Sequence, residues 1–364
     1  MKRGISTRFK TLPTLIGNGF VVTVLLGAAT IATAAPTESD VLKALAGSVD
    51  SQYQNLEKRS STLVETTRNL CTEKSDASLE EARVSWQEAF QTYKEGLTFY
   101  FSEDDKVKLN YFIGNWPVEG VIMDGIAESS ELAYMRKERT NRGFAGLEYL
   151  LFTPQEPPLV TTPARCEFLI DLSSEIQRLS KSAAQQWHTQ DRTQFIHAGD
   201  GNPYLLEGDG LSLAYTQILN IAERVLWDKI GVPTGFFGQE PVRSNQIEAL
   251  PSGESINVFT YNIRSISKLL HAGGENSLLN LIATRDGVYS KKNPQLAAHI
   301  DKQLVEIESL IQKIKSMDGG VKEAVETEKI KPLYEAIQLL QDQLIDGALV
   351  LELDVRSFNE KHID

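Results

Sequence analysis

An all-α fold of two helical bundles is what this sequence predicts, and three observations predict it. Apolar residues recur three or four positions apart over most of the 364 residues, the spacing of one helix face. The only stretch that admits the period-2 alternation of a half-buried strand is 349–355. A glycine-rich run over 198–210, with Gly199, Gly201, Pro203, Gly208 and Gly210, separates four major helical patterns from four more. Such a run punctuates elements rather than belonging to one.

The elements follow in order. The pattern over 39–71 sets Val41, Leu42, Leu45, Val49, Tyr53, Leu56, Leu63 and Leu70 along one stripe. A second helix over 79–101 carries Ala82, Trp86, Ala89, Phe90, Tyr93 and Leu97, with Ser78 placed to cap it. Glu80 and Glu81 then lie in its first turn, where the helix dipole favours anions. An aromatic stretch over 111–118 comes next. Pro117 pushes Trp116 out of the helical region, which makes this a turn or a short helix start. A shorter helix covers 142–152. Pro154, Pro157, Pro158 and Pro163 mark a linker to a helix over 164–188. Beyond the glycine-rich joint, helices are expected over 211–230, 255–270, 294–317 and 321–353, with an aperiodic loop over 231–238. Long helices joined by short loops pack as antiparallel neighbours.

The first 34 residues read as a secretory leader. Lys2, Arg3, Arg8 and Lys10 form a basic head, an apolar run spans 20–29, and Ala32-Thr33-Ala34 is an A-x-A cleavage site. The apolar run is too short to span a bilayer with confidence, so the mature chain is expected to be periplasmic and to carry no membrane span. The resulting division is 1–34 signal peptide, 35–198 N-terminal bundle and 199–364 C-terminal bundle. Loss of the leader's four basic residues takes the formal net charge from −12 to −16. So acidic a surface repels nucleic acid and anionic membrane and concentrates cations. Only two cysteines occur, Cys71 and Cys166, and in an oxidising compartment the pair is expected to form a disulfide. Two buried free thiols are the alternative.

The segment Gly143-Phe144-Ala145-Gly146-Leu147-Glu148-Tyr149-Leu150-Leu151-Phe152 resembles the imelysin signature, G-x-H-x-x-E followed by an apolar Y-L-L-F. Four other places agree: Asn115-Trp116-Pro117, Leu70-Cys71, the run from Asp228 to Pro233, and Glu248 with Ser255 opening a helix. The resemblance covers nearly the whole mature chain, although the tail over 353–364 matches only loosely. It implies two helical bundles, a bacterial envelope location and a link to iron acquisition; some members carry a peptidase label.

The sequence departs from that pattern at the motif itself, where Ala145 stands in place of histidine. Positions 145 and 148 share a helix face, so His and Glu there could hold one metal ion. Glu148 is left as the sole candidate metal ligand of the motif, for iron or another divalent cation. Hard cations need several oxygen ligands, and zinc usually takes imidazole or thiolate. Glu119, Asp124 and Arg142 are the nearby residues that could compensate, and Arg142 could instead pair with Glu148. Without the metal, Glu148 is expected to be bonded to backbone or to Trp116. Ser255 reads as a helix N-cap. No H-E-x-x-H or G-x-S-x-G occurs, and the five histidines do not cluster.

Three functions remain open. The first is a non-catalytic envelope protein linked to iron acquisition, binding a metal ion or small ligand between the bundles through Glu148, Trp116, Arg142, Ser255 and Glu119. The others are a metal-dependent peptidase, as the family label suggests, and a scaffold that docks an envelope partner.

Overall fold

The computed structural model describes residues 35–101, 109–128, 141–154, 162–201, 203–236 and 241–355. The leader expected over 1–34, the prolines at 157 and 158 and most of the tail lie outside them. Residues 35–364 form one compact unit. Among the described residues every regular element is helical, as the apolar spacing predicts.

The first group of helices is α1 (Glu38–Glu73), α2 (Asp76–Glu95), α3 (Leu109–Ile113), α4 (Gly120–Glu128), α5 (Gly143–Phe152), α6 (Pro163–Gln186) and α7 (Arg192–Ile196). Thr37 starts α1 with a reciprocal cap: its hydroxyl accepts from Asp40 N–H at 3.2 Å, and its own N–H donates back to the Asp40 carboxylate. α2 uses the same device three residues earlier than expected. Ser75 is the cap, accepting from Ser78 N–H at 3.1 Å, while the Ser78 hydroxyl reaches back to Ser75 N–H. Ser78 therefore sits at the third helical position, where a side chain completes a cap rather than forming it. α2 also ends sooner, at Glu95, because the chain turns at Gly96 into a short 3₁₀ turn, Leu97–Phe99. A Cβ at Gly96 would lie 2.1 Å from Gln52 Nε2, so a larger residue there would displace the amide by which α1 donates to Thr92 O of α2.

α1 packs along both α2 and α6. Thr67 and Ser173 meet between α1 and α6 at 2.9 Å, and Cys71 is bonded to Cys166 across the same interface, with Cα atoms 5.7 Å apart. The expected disulfide is therefore present. Trp86 anchors α5 on α2 by donating to Phe144 O at 3.0 Å and by edge contacts with the Phe144 and Phe152 rings.

The second group is α8 (Glu207–Arg224), α9 (Val232–Thr234), α10 (Ser255–His271), α11 (Leu278–Thr284), α12 (Val288–Lys292), α13 (Leu296–Lys315), α14 (Gly320–Glu326) and α15 (Lys331–Val350). The expected helix over 321–353 is thus two helices. Pro332 can be accommodated only in the first turn of a helix, and it opens α15, while Glu328 takes φ 59° in the turn before it. No strand occurs at 349–355: α15 continues to Val350 and the chain then turns. Two helices pass through π turns, Trp187–Asp191 between α6 and α7 and Val225–Gly231 between α8 and α9.

α8, α10, α13 and α15 pack on one another. The groups are joined where α10 meets α2 and α8 meets α1, and buried apolar residues from Val41 to Leu351 form one cluster through both. No described helix is long and apolar enough to cross a membrane.

Candidate functional site

Glu148 lies where the two groups meet. It is carried by α5, whose start depends on Gly143: φ is +72°, and a Cβ would lie 2.5 Å from Ile113 O. Glu148 itself is 5 % exposed. Its Oε1 accepts from Ser252 N–H at 2.9 Å and from the Ser252 hydroxyl at 2.6 Å. Burial pushes its carboxyl up to about 7; the Ser252 bonds oppose that shift, and nearby Glu248 and Glu254 reinforce it. The expected backbone bond is found, but it comes from the second helical group. The Trp116 indole N–H instead donates to Gln246 O at 3.3 Å.

Beside Glu148 sits a buried ionic cluster. Lys94 of α2 donates to Glu248 Oε1, and Lys229 of the second π turn donates to Glu248 Oε2. Trp116 covers these cations: the Lys229 Nζ is 4.1 Å from its ring centroid, Lys94 5.4 Å and the Arg224 guanidinium 5.8 Å. An aromatic face attracts cations through its quadrupole, and more strongly when they are desolvated. Burial opposes ionisation of Glu248, but Lys229 and Lys94 outweigh it and bring its carboxyl down to about 2. Burial brings the Lys94 ammonium down to about 7, with Glu248 opposing and Lys229 assisting. Lys229 is lowered too, by burial first.

The remaining sequence candidates fall in different surroundings. Ser255 is buried, but it is the first residue of α10 rather than its N-cap, and its hydroxyl has no hydrogen-bond partner. Glu254 is the cap position, and its carboxylate accepts from Gln87, Asn257 and Tyr261. Arg142 precedes α5, and its guanidinium reaches Glu175 of α6, with Nε at 2.6 Å. Its ion pair is therefore with Glu175, while Ser252 holds Glu148. Glu119 is exposed just before α4. Asp124 faces Arg165, 3.9 Å away. The structure thus gathers Glu148, Trp116 and Ser255 around the segment from Gln246 to Ser255 and sets Arg142 on α6.

Ser252, Lys94 and Lys229 were not singled out from the sequence. The lysines did leave a sign: each continues an apolar stripe, Lys94 after Trp86 and Phe90, Lys229 after Ala222, Val225 and Leu226. A lysine on a buried face needs a partner. Ser252, in Pro251-Ser252-Gly253, leaves no such trace.

As a metal centre the site fits poorly. Glu148 offers one carboxylate, while nearby Glu248 is held by Lys94 and Lys229 and Glu254 by Gln87, Asn257 and Tyr261. Among the described residues no three His, Cys, Asp or Glu side chains converge as ligands could. The Ser252 N–H and hydroxyl both donate to one oxygen of the Glu148 carboxylate. Two cavities, of about 210 and 270 Å³, are lined by residues of the second group, Arg285 and Lys291 among them in one and Arg264 and Glu308 in the other. Neither includes Glu148, Ser252 or Trp116.

Comparison with known proteins matches this architecture. A solved structure from Parabacteroides distasonis, described as an iron-regulated protein A precursor, has a TM-score of 0.72 at 18 % identity, covering 88 % of this chain and 97 % of that one. An imelysin-like protein from Psychrobacter arcticum has a TM-score of 0.68 at 17 % identity, covering 89 % of this chain and 98 % of that one. At such identities the likeness is one of fold. No curated protein matches the sequence. The family model for imelysin, which bears a peptidase name, matches residues 50–345. With that much of its length matched, the chain belongs to the imelysin family.

Proposed function

We propose that this is an exported, periplasmic binding protein of iron acquisition that performs no catalysis, with Glu148 as the centre of its ligand site between the bundles. The observation that carries this reading is the contact of Glu148, from the first group, with Ser252, from the second. Sites of this kind occur preferentially where two packed units meet. A carboxyl near 7 can accept as carboxylate or donate as acid, and the unpartnered Ser255 hydroxyl lies three residues from Ser252. Buried hydroxyls without partners are scarce in folded proteins and invite a ligand or an ordered water. Trp116, against Gln246, and the buried cations close the same region. The family and the iron-regulated neighbour support the link to iron, and the leader expected over 1–34 supports export. The peptidase reading has less support, since Ala145 removes the nitrogen donor and Glu148 lacks companions for a metal.

Calorimetry of the wild type and of Glu148→Gln with ferrous and ferric ions, free and as ferric citrate, tests the proposal. Heat of binding present in the wild type and lost in the variant is the expected result. Equal binding by both proteins would remove Glu148 from the site. Chelator-sensitive cleavage of peptides by the wild type would overturn the non-catalytic reading.

A further inference from the structure

We propose that Lys94 is a positioning residue: by pairing with Glu248 it seats the segment over 246–254 on the first bundle and so holds Ser252 against Glu148. That segment belongs to the second half of the chain, yet it is laced to the first at four places. Trp116 reaches Gln246 O, Lys94 reaches Glu248, Glu148 takes both donors of Ser252, and Gln87 of α2 reaches Glu254 at 3.3 Å. Between the first two laces and the third, Ala249 is buried with φ 56°. An alanine persists in the left-handed region only where its surroundings over-determine the backbone. Ile247 and Glu248 are buried beside it.

Charge arithmetic separates the two lysines. Lys229 lies in the second half, as Glu248 does, and the two already form a balanced pair. Lys94 is the additional cation, and it alone of the two comes from the first bundle. Its ammonium is buried, which costs desolvation that a single shared carboxylate does not fully return. Buried ionic groups of this kind contribute little to net stability; their best-attested role is to fix register. Here the register is that of one bundle on the other. The assignment does not depend on what Glu148 binds.

Amide hydrogen exchange in the full mature chain tests it, with thermal unfolding alongside. Lys94→Met leaves the Lys229–Glu248 pair intact, so its unfolding midpoint is expected within about 3 °C of the wild type. Its Ser252 amide is expected to exchange at least about tenfold faster, while the amides of Phe259 and Ile263 in α10 keep wild-type rates. Lys229→Met is the comparator: Lys94 still reaches Glu248, so Ser252 stays protected. A stability role without positioning would move all these amides together. The proposal is overturned by wild-type protection of Ser252 in Lys94→Met, by equal loss in Lys229→Met, or by global unfolding of Lys94→Met.

Discussion

At the scale of single residues, Ala145 and Glu148 set what the motif can do. They are one turn apart on α5, and Ala145 is only partly buried. Ala145→His is expected to strengthen iron binding and to add zinc binding, both requiring Glu148, and Ala145→His/Glu148→Gln to lose the gain; calorimetry with each ion reads both. Tight binding by the wild type through Glu148 would show that hydroxyls and one carboxylate suffice. The carboxyl also makes stability depend on pH. Burial raises it from 4.5 to about 7, so the folded chain holds this proton more tightly than the unfolded chain does. The group's contribution is then fully present below about 4.5 and declines as pH rises to about 7. Glu148→Gln does not titrate. Denaturant unfolding at about pH 5 and about pH 8 should show the variant gaining on the wild type at the higher pH. An unchanged difference would mean that the carboxyl titrates at its ordinary value.

At the scale of elements, the disulfide between α1 and α6 closes a loop with a sequence separation of 95. In the chain-entropy model a loop of this length stabilises by about 4–5 kcal/mol. Replacing both cysteines with alanine should lower the guanidinium midpoint accordingly, and reductant should destabilise the wild type without affecting the variant. The helices themselves were legible because burial on one face imposes a 3.6-residue period on the sequence. The errors fall where that period carries no information. The apolar stripe continues from Val321 to Val350, although Pro332 and the turn before it break the backbone. The cap of α2 belongs to Ser75 rather than Ser78 because both serines take part in the same reciprocal bond, and spacing alone does not say which one opens the helix. A π turn inserts a residue without removing the apolar positions on either side, so Trp187–Asp191 and Val225–Gly231 leave no mark in the pattern.

At the scale of the whole molecule, the ionic cluster joins what the chain order separates. Glu248→Gln removes the carboxylate that the two buried lysines share, and losing one partner of a buried ion pair costs about 3–5 kcal/mol. Chemical denaturation near neutral pH should show a loss of that order. It should far exceed that of Lys94→Met, which leaves a matched pair. Comparable losses would contradict the charge count. The sequence by itself determined the helical class, the membership of the imelysin family and the cysteine pair, because each is written in local spacing or in residue identity. Trp116 and Ser255 could be nominated from their resemblance to family landmarks, but not their contacts. That Ser252 holds Glu148, that Arg142 turns to Glu175, and that Lys94 crosses to Glu248 were decided only by the tertiary structure. The pairs are 104, 33 and 154 residues apart. No periodicity relates positions at such distances; only the packing of helix on helix, within the first group for Arg142 and between the groups for Ser252 and Lys94, brings them within hydrogen-bond reach.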